Sequence, residues 1–398
     1  MQDASPVGEN ILIKDKHIFL CIDDQIKQLD TIYQQELEFI KANFCGMVCT
    51  SLTDIQPDAI IYLSGDIASI SIPSGHTVYV TKELSYNIPA DSNVIGIGEV
   101  PINIHNVGVY FRKLFSEDNY FNLIKDQHEF QSLTESNKAG KAFRKGIYLT
   151  DVKQLDDAIS FNLLRCSTNL SGPTDNFRDI DHQIIDKVNA VSAPLFESPI
   201  QFNHVLAQIY ENNVVGNKQK KAGIKAHSDK KKDMPPNALI AFTTFYDNVV
   251  PSKSDLFDIC YKNVSVLTCL RFCLKSEVTD STLVKEFNVT LYPNSVFIIP
   301  LSTNRLYTHE IKPSILPVDK IPTRLGYVIR CSDTKAVFKD GQTFIDRNGE
   351  LAKLNPITAD DISMIRKLYY AENVTTDVVN YGVINCSMNS GDYKMPIV

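Results

Sequence analysis

Two histidines and one aspartate are the residues of this chain best suited to do chemistry. His227 and Asp229 form a His-Ser-Asp triplet at the end of a segment with the pattern of a β-strand, and His309 lies on a later segment of the same kind. In a strand, residues i and i+2 point to the same face, so the imidazole and the carboxylate are expected to project together. Two imidazoles and one carboxylate are the ligand set of a non-haem Fe(II) site with open coordination positions. A His-x-Asp triplet also arises by chance as a surface pair, so the triplet alone leaves both interpretations open.

Two arginines on one predicted strand add a further element. Arg324 and Arg330 are both even positions of the same segment, so their side chains share one face. A guanidinium pairs with a carboxylate through bidentate, charge-assisted hydrogen bonds. Two arginines that face the interior of a β-barrel need buried anions, and a metal-bound 2-oxoacid supplies two carboxylates. Alternation also permits the opposite orientation, with Leu325, Tyr327 and Ile329 in the core and both arginines in solvent.

Together these residues resemble a known family. A strand with His227 and Asp229, then further strands, then His309, and then a strand with Arg324 and Arg330 is an order similar to that of the Fe(II)/2-oxoglutarate-dependent oxygenases, most closely their AlkB-like branch. The resemblance implies that His227, Asp229 and His309 bind the iron. It also implies that Arg324 binds the distal carboxylate of 2-oxoglutarate and that Arg330 approaches its keto-acid end.

The strand before the triplet carries a second part of the resemblance. AlkB-like enzymes have an Asn-x-Tyr pair there, and this chain has Gln208 and Tyr210, which are therefore expected to contact 2-oxoglutarate. Two features depart from the family pattern. The loop between Tyr210 and His227 is longer than usual, and Gly326 stands where the family has Asn. The resemblance covers residues 105–345.

The resemblance also implies an activity. The expected enzyme is a dioxygenase that uses Fe(II), O₂ and 2-oxoglutarate, releases succinate, and hydroxylates or oxidatively demethylates a substrate. The favoured substrate is a nucleic-acid base, because residues 217–233 around the triplet contain seven lysines and two aspartates. Such a segment is expected to contact phosphates. The alternative is a solvated loop without a partner.

Three classes of function remain open at this point. The first is a nucleic-acid oxygenase, and the second is an oxygenase that acts on a protein side chain or a small molecule and uses the N-terminal residues for recognition. The third is a non-enzymatic scaffold that keeps the barrel. The complete set of two histidines, one aspartate and two arginines argues against the third. The lysines favour the first class, and the net charge of −7 favours the second.

The expected fold is α+β. Residues 202–345 contain many short apolar segments separated by turn residues, a pattern typical of an all-β sandwich or barrel. The resemblance implies a double-stranded β-helix, or jelly roll, with flanking helices. Apolar periodicity predicts helices over residues 24–43, 120–133, 179–191 and 358–372. Three domains are expected: a small α/β domain of unknown role at 1–104, the oxygenase domain at 105–345 and a helical extension at 346–398.

The composition of the 398-residue chain indicates its cellular location. It contains no run of 18 apolar residues, which argues against a membrane span, and its first residues lack the pattern of a secretory signal. Nine cysteines, an odd number, indicate reduced thiols and a cytoplasmic or nuclear protein. Cys269 and Cys273 have a spacing seen in metal sites, but their alternating apolar strand favours thiols in the core.

Overall fold

Five α-helices lie in the part of the chain that the structure describes. A computed structural model describes residues 13, 15–22, 30–51, 55, 57–72, 74–116, 119–134, 141–198, 200–247 and 259–398. The helices are α1 (Thr31–Asn43), α2 (Tyr120–Gln127), α3 (Asp179–Ser192), α4 (Leu301–Leu306) and α5 (Ala359–Val374). Of these helices, none is long and apolar enough to cross a membrane.

Two of the predicted helices differ from the structure at their ends. Helix α1 begins at Thr31, where the Asp30 carboxylate accepts a hydrogen bond from the backbone N–H of Ile32. Residues 24–29 of that prediction lie outside the described residues. The helix predicted over 120–133 is wrong in its second half, because α2 ends at Gln127 and the next residues pair with a neighbouring strand. Helices α3 and α5 confirm the other two predictions.

Most of the described chain is built from short strands. In chain order they are β1 (His17–Cys21), β2 (Met47–Cys49), β3 (Ile60–Ser64), β4 (Thr77–Thr81), β5 (Val94–Ile95), β6 (Ile102–Ile104), β7 (Gly108–Phe111), β8 (Gln131–Thr134), β9 (Lys141–Thr150), β10 (Val152–Gln154), β11 (Ile159–Asn162), β12 (Asp175–Asn176), β13 (His204–Tyr210), β14 (Asn213–Val215), β15 (Lys218–Lys220), β16 (Ile224–His227), β17 (Leu239–Tyr246), β18 (Cys260–Tyr261), β19 (Val264–Ser265), β20 (Cys269–Leu274), β21 (Glu286–Thr290), β22 (Ser295–Pro300), β23 (Tyr307–Lys312), β24 (Arg324–Arg330), β25 (Lys335–Lys339), β26 (Gln342–Arg347) and β27 (Glu350–Lys353).

The first five strands form a parallel sheet in the order β2-β1-β3-β4-β5. Parallel strands are usually covered on both faces and read as continuous apolar runs, and every residue of β1 is buried. Helix α1 packs Leu37 and Ile40 against Phe19 of this sheet. Cys45, in contrast, belongs to the large core of the following strands. The existence of a separate domain ending at 104 stays a prediction.

Two antiparallel sheets pack face to face around the largest core. One contains β13, β24, β17 and β22 as neighbours, and the other has the order β16-β23-β20-β21. Phe242 of β17 contacts Phe272 of β20 and His309 of β23, with ring centroids 6.4 Å and 5.1 Å apart. The eight strands pass between the two sheets in an order consistent with the predicted jelly roll.

Strand β24 is buried on both of its faces. On the outer face, the Tyr327 hydroxyl donates a hydrogen bond to Asp181 of α3 at 2.6 Å. On the inner face, Arg324 is 3% exposed and Arg330 is 4% exposed. The alternative in which both arginines face solvent is therefore wrong. A strand covered by a helix on one side and a second sheet on the other side carries buried residues on both faces, and only Val328 of β24 is partly exposed.

The chain after the barrel packs back onto it. A separate antiparallel sheet consists of β10, β11, β25, β26 and β27. After β27 the chain continues to helix α5. Tyr369 of α5 donates a hydrogen bond to the backbone carbonyl of Arg165 at 2.9 Å. Arg165 in turn donates to the carbonyls of Ile384 and Cys386. The C-terminal residues thus contact the segment around Arg165, which precedes the barrel strands in sequence.

Candidate functional site

The structure brings His227, Asp229 and His309 together at one end of the barrel. His227 on β16 and His309 on β23 are direct cross-strand partners. Asp229 Oδ1 lies 3.6 Å from His227 Nε2 and 3.8 Å from His309 Nε2. One potential ligand atom from each residue falls within 4.8 Å of the others. Three residues separated in sequence therefore form one cluster, as the sequence predicts.

The two imidazoles present their Nε2 atoms to the cluster. His227 Nδ1 lies 2.9 Å from the backbone carbonyl of Lys225, an arrangement that places the proton on Nδ1 and leaves the Nε2 lone pair free. His309 packs against the rings of Phe242 and Phe272. Burial is the main cause that lowers the pKa of His309 to about 3. His309 is therefore a neutral imidazole, and His227 presents Nε2 to the cluster.

The two carboxylate oxygens of Asp229 face different partners, and Oδ1 faces the two histidines. Arg330 donates to the other oxygen, Oδ2, from Nε at 2.9 Å and from Nη2 at 2.6 Å. Burial favours the neutral carboxyl, but the charge of Arg330 holds the pKa of Asp229 well below its usual range. Asp229 is thus ionised, with Oδ1 aimed at the two imidazoles.

The backbone of the triplet is held by two residues that sequence reasoning missed. The Asn304 side chain exchanges two hydrogen bonds with the backbone of Asp229. The Asn373 side chain accepts a hydrogen bond from the backbone N–H of Ser228. Neither asparagine belongs to a motif, and the sequence carries no signal of these contacts.

Arg324 occupies the opposite end of the inner face of β24. Its Cζ atom lies 3.9 Å from the centroid of the Tyr210 ring. Its Nε and Nη2 atoms are buried and have no hydrogen-bond partner among the described residues. A buried cation without a counterion is destabilising by about 3–5 kcal/mol. The geometry at this end of the barrel therefore fits an anion.

Gly326 makes the space that the Arg324 guanidinium occupies. A Cβ atom at this position would lie 2.9 Å from Arg324 Nη1 and 3.2 Å from Tyr210 Cε2. The Asn found here in AlkB-like proteins would displace the guanidinium from this position. The absence of a side chain at position 326 thus leaves room for the Arg324 guanidinium.

Gln208, Tyr210 and Thr244 flank the same region. Gln208 and Tyr210 lie on β13 beside β24, and the Tyr210 hydroxyl donates to Gln208 Oε1 at 3.1 Å. Thr244 on β17 is the cross-strand partner of Gly326, and its buried hydroxyl has no partner among the described residues. Sequence reasoning missed Thr244, although a threonine pair within an apolar strand is a usable signal.

The lysine-rich segment 217–233 is divided between two environments. Lys218 and Lys220 are exposed on the hairpin formed by β14 and β15. Lys230 instead donates to the backbone carbonyls of Ser228 and Tyr369. Burial, and then the charge of Arg165, lowers the pKa of Lys232 to about 8. The segment is not one continuous solvated loop, and its contact with nucleic acid stays a prediction.

The predicted location of Cys269 and Cys273 is wrong. Both thiols are half-buried on the outer face of β20 beside Arg271, whereas Leu270 and Phe272 fill the core. Strand alternation is the reason, because the side chains in the core are those on the other face. No disulfide joins any of the nine cysteines, all of which lie among the described residues.

Comparisons with known proteins give limited similarity. No protein-family model matches the chain, and no curated protein matches it. Among solved structures, the chain is similar to OsALKBH1, with 13% identity and a TM-score of 0.34 over 56% of this chain and 97% of that one. It is also similar to SnoN, a non-heme alpha ketoglutarate dependent epimerase from nogalamycin biosynthesis, with 12% identity and a TM-score of 0.36 over 64% of this chain and 91% of that one. Likeness at this level assigns neither a family nor an activity to the chain.

Proposed function

We propose that this protein is an Fe(II)- and 2-oxoglutarate-dependent dioxygenase. The observation that carries the proposal is the inner surface of the barrel. It holds a cluster of two histidines and one carboxylate at one end, and at the other a buried arginine whose Nε and Nη2 atoms lack partners among the described residues. A metal and a dicarboxylate are the two groups that this arrangement fits.

The cluster has the donor set of a ferrous site. His227 Nε2, His309 Nε2 and Asp229 Oδ1 would hold Fe(II), since two neutral imidazoles and one carboxylate oxygen suit that ion. When bound, the iron supplies the activation of O₂ that hydroxylation needs. The protein orients the ligands through Lys225 and Arg330, and Phe242 and Phe272 shield His309 from water.

Arg324 would bind the distal carboxylate of 2-oxoglutarate. Its Nε and Nη2, which have no partner in the part of the chain that the structure describes, would gain a bidentate partner, and the Thr244 hydroxyl lies on the neighbouring strand. Gln208 and Tyr210 border the same surface. At the other end, Arg330 has one buried nitrogen, Nη1, without a partner among the described residues. That nitrogen would donate a hydrogen bond to the keto-acid end of 2-oxoglutarate.

For the substrate, we favour a nucleic-acid base. The support is local: Lys218, Lys220 and Lys225 are exposed on either side of the start of β16, the strand that ends at His227. Phosphates are natural partners for such lysines. The alternative is a protein side chain or a small molecule, which the net charge of −7 and the internal position of Lys230 and Lys232 favour.

The test of the proposed activity is succinate release. Purified protein is incubated with Fe(II), 2-oxoglutarate and O₂, and with a panel of alkylated oligonucleotides, nucleosides and peptides. We expect 2-oxoglutarate turnover that is abolished in Asp229→Ala and is stimulated by one substrate class. Equal succinate release from the parent and Asp229→Ala would contradict the proposed function.

A further inference from the structure

Both backbone polar groups of Asp229 are held by a single side chain. Asn304 Oδ1 accepts a hydrogen bond from the Asp229 N–H at 2.8 Å, and Asn304 Nδ2 donates to the Asp229 carbonyl at 3.0 Å. Asn304 is 1% exposed and lies on the short helix α4, just before β23 with His309. The amide thus connects the carboxylate residue to the element that leads into the second histidine.

A second asparagine holds the adjacent peptide from the other side. Asn373 Oδ1 accepts a hydrogen bond from the Ser228 N–H at 2.7 Å, and Asn373 Nδ2 donates to the carbonyl of Tyr369 at 2.9 Å. Ser228 lies between His227 and Asp229. Asn373 belongs to the last turn of α5, far from the triplet in sequence. A displacement of α5 would therefore move the Ser228 peptide, which lies between His227 and Asp229.

Cations hold the C-terminal end of α5 in place. Lys275 Nζ donates to the backbone carbonyls of Glu372 at 2.7 Å and Thr375 at 3.0 Å. Arg305 donates to the carbonyl of Thr376 at 3.0 Å. Positive charge at a helix C-terminus interacts favourably with the unpaired carbonyls and the helix dipole. The Asn373 side chain is thus presented from an anchored helix end.

We infer that Asn304 and Asn373 are positioning residues for the metal site, and that α5 is part of the structure that sets its geometry. The inference rests on the proposed metal-binding role of His227, Asp229 and His309. Outer partners that orient metal ligands typically contribute about 10–100-fold to metal affinity. A shift of the Ser228 peptide would move His227 and Asp229 relative to each other, because the two residues flank it.

Co(II) alone serves as the probe, because its visible spectrum reports ligand geometry as well as occupancy. Asn373→Ala removes the acceptor for the Ser228 N–H, and we expect about 10-fold weaker Co(II) binding and an altered spectrum at saturation. Asn373→Asp keeps the acceptor oxygen for the Ser228 N–H but places an oxygen against the Tyr369 carbonyl, so it should restore only part of the affinity. The matched control is Thr375→Ala, which removes a hydrogen bond from the Thr375 hydroxyl to Ala371 at the same helix end without touching the triplet.

Asn304 is tested with an isosteric change. Asn304→Asp keeps the acceptor for the Asp229 N–H but places an oxygen against the Asp229 carbonyl. We expect weaker Co(II) binding and a changed spectrum in this variant as well. If Asn373→Ala does not fold, Asn373→Gln and Asn304→Asp carry the test.

The outcomes separate the inference from the proposed function. If the parent binds Co(II) and the asparagine variants match its affinity and spectrum, the inference is overturned and the metal site stands. An equal loss in Thr375→Ala and Asn373→Ala also overturns it, because the effect would then be one of general helix stability. If the parent binds no Co(II), the metal site and the inference both fall.

Discussion

Arg330 donates two hydrogen bonds to a single carboxylate oxygen of Asp229, from Nε at 2.9 Å and from Nη2 at 2.6 Å. The ion pair is buried, and it joins the final barrel strand to the His-Ser-Asp triplet. It leaves Oδ1 of the same carboxylate beside both imidazoles. One arginine therefore sets both the charge and the orientation of Asp229.

Arg330→Leu should make metal binding sensitive to pH. Without Arg330, burial raises the pKa of the Asp229 carboxyl, so protons compete with the metal as the pH falls. In the parent the depressed pKa keeps Asp229 ionised, and its stabilising effect is lost only at strongly acidic pH. Leaving Asp229 unpaired should also lower the free energy of unfolding by about 3–5 kcal/mol. Co(II) affinity is measured from neutral to mildly acidic pH. The control is Arg271→Leu, on the outer face of β20, and a parent-like pH profile in Arg330→Leu would contradict the assignment.

Arg324→Met should separate protein stability from 2-oxoglutarate binding. Without 2-oxoglutarate the variant should be at least as stable as the parent, because it removes a buried charge whose Nε and Nη2 lack partners among the described residues. Added 2-oxoglutarate should raise the melting temperature of the parent but not of the variant, a loss of about 2–5 kcal/mol in binding. Arg324→Lys should recover only part of the affinity, since an ammonium lacks the planar fork. Equal 2-oxoglutarate stabilisation of parent and Arg324→Met would exclude this arginine as the binding group.

Gly326→Ala should weaken 2-oxoglutarate binding without affecting the metal. The added Cβ would lie 2.9 Å from Arg324 Nη1 and 3.2 Å from Tyr210 Cε2, so the guanidinium must move. Titration calorimetry of 2-oxoglutarate and of Co(II) measures the two affinities separately. Gly96→Ala is the control for a glycine replacement, because φ of Gly96 is −78° and an added Cβ there would meet only ordinary contacts of 3.6 Å and 3.9 Å. A variant that loses Co(II) affinity but keeps that of 2-oxoglutarate would show the opposite of the expected pattern.

His128 should make the protein lose stability at alkaline pH. Its ring nitrogens lie 2.7 Å from Asp175 and 2.9 Å from Asp181. Burial opposes the charge, but the two carboxylates raise the pKa of His128 to about 9. The stabilisation is therefore complete below the unfolded-state pKa of about 6.5 and disappears as the pH rises through about 9, a total of about 3 kcal/mol.

The measurement is urea unfolding of the parent and His128→Gln across this pH interval. The stability difference between the two proteins should shrink as the pH rises. His182→Gln is the control, because His182 and its partner Asp151 are both exposed. A difference that stays constant from neutral pH to above pH 9 would contradict a charged His128.

The exposed Lys218 and Lys220 should contribute to the affinity for nucleic acid. We expect Lys218→Gln with Lys220→Gln to weaken oligonucleotide binding and to flatten the slope of log affinity against log salt by about 1 per lost phosphate contact. Turnover of 2-oxoglutarate without substrate should be unchanged. Lys335→Gln, an exposed lysine on β25, is the matched control. If the parent shows no salt-dependent binding to DNA or RNA, the protein or small-molecule substrate becomes the favoured class.

Residue type and local periodicity were enough to predict much of the site. His227, Asp229 and His309 could be selected because their ligand chemistry is a property of the side chains themselves. Many short strands over residues 202–345 could be predicted because alternation and turn residues are local signals. The same logic placed Arg324 and Arg330 on one face of a strand, but it could not say which face.

Only the tertiary structure decided the orientation of β24 and the supports of the triplet. Alternation cannot distinguish the two faces of a strand that is buried on both sides, since α3 covers one face and the second sheet the other. The contacts of Asn304 and Asn373 join residues 75 and 145 positions apart, so no local pattern encodes them. The division of the lysine segment has the same cause, because Lys230 and Lys232 become internal only when α5 and the C-terminal residues pack beside the triplet.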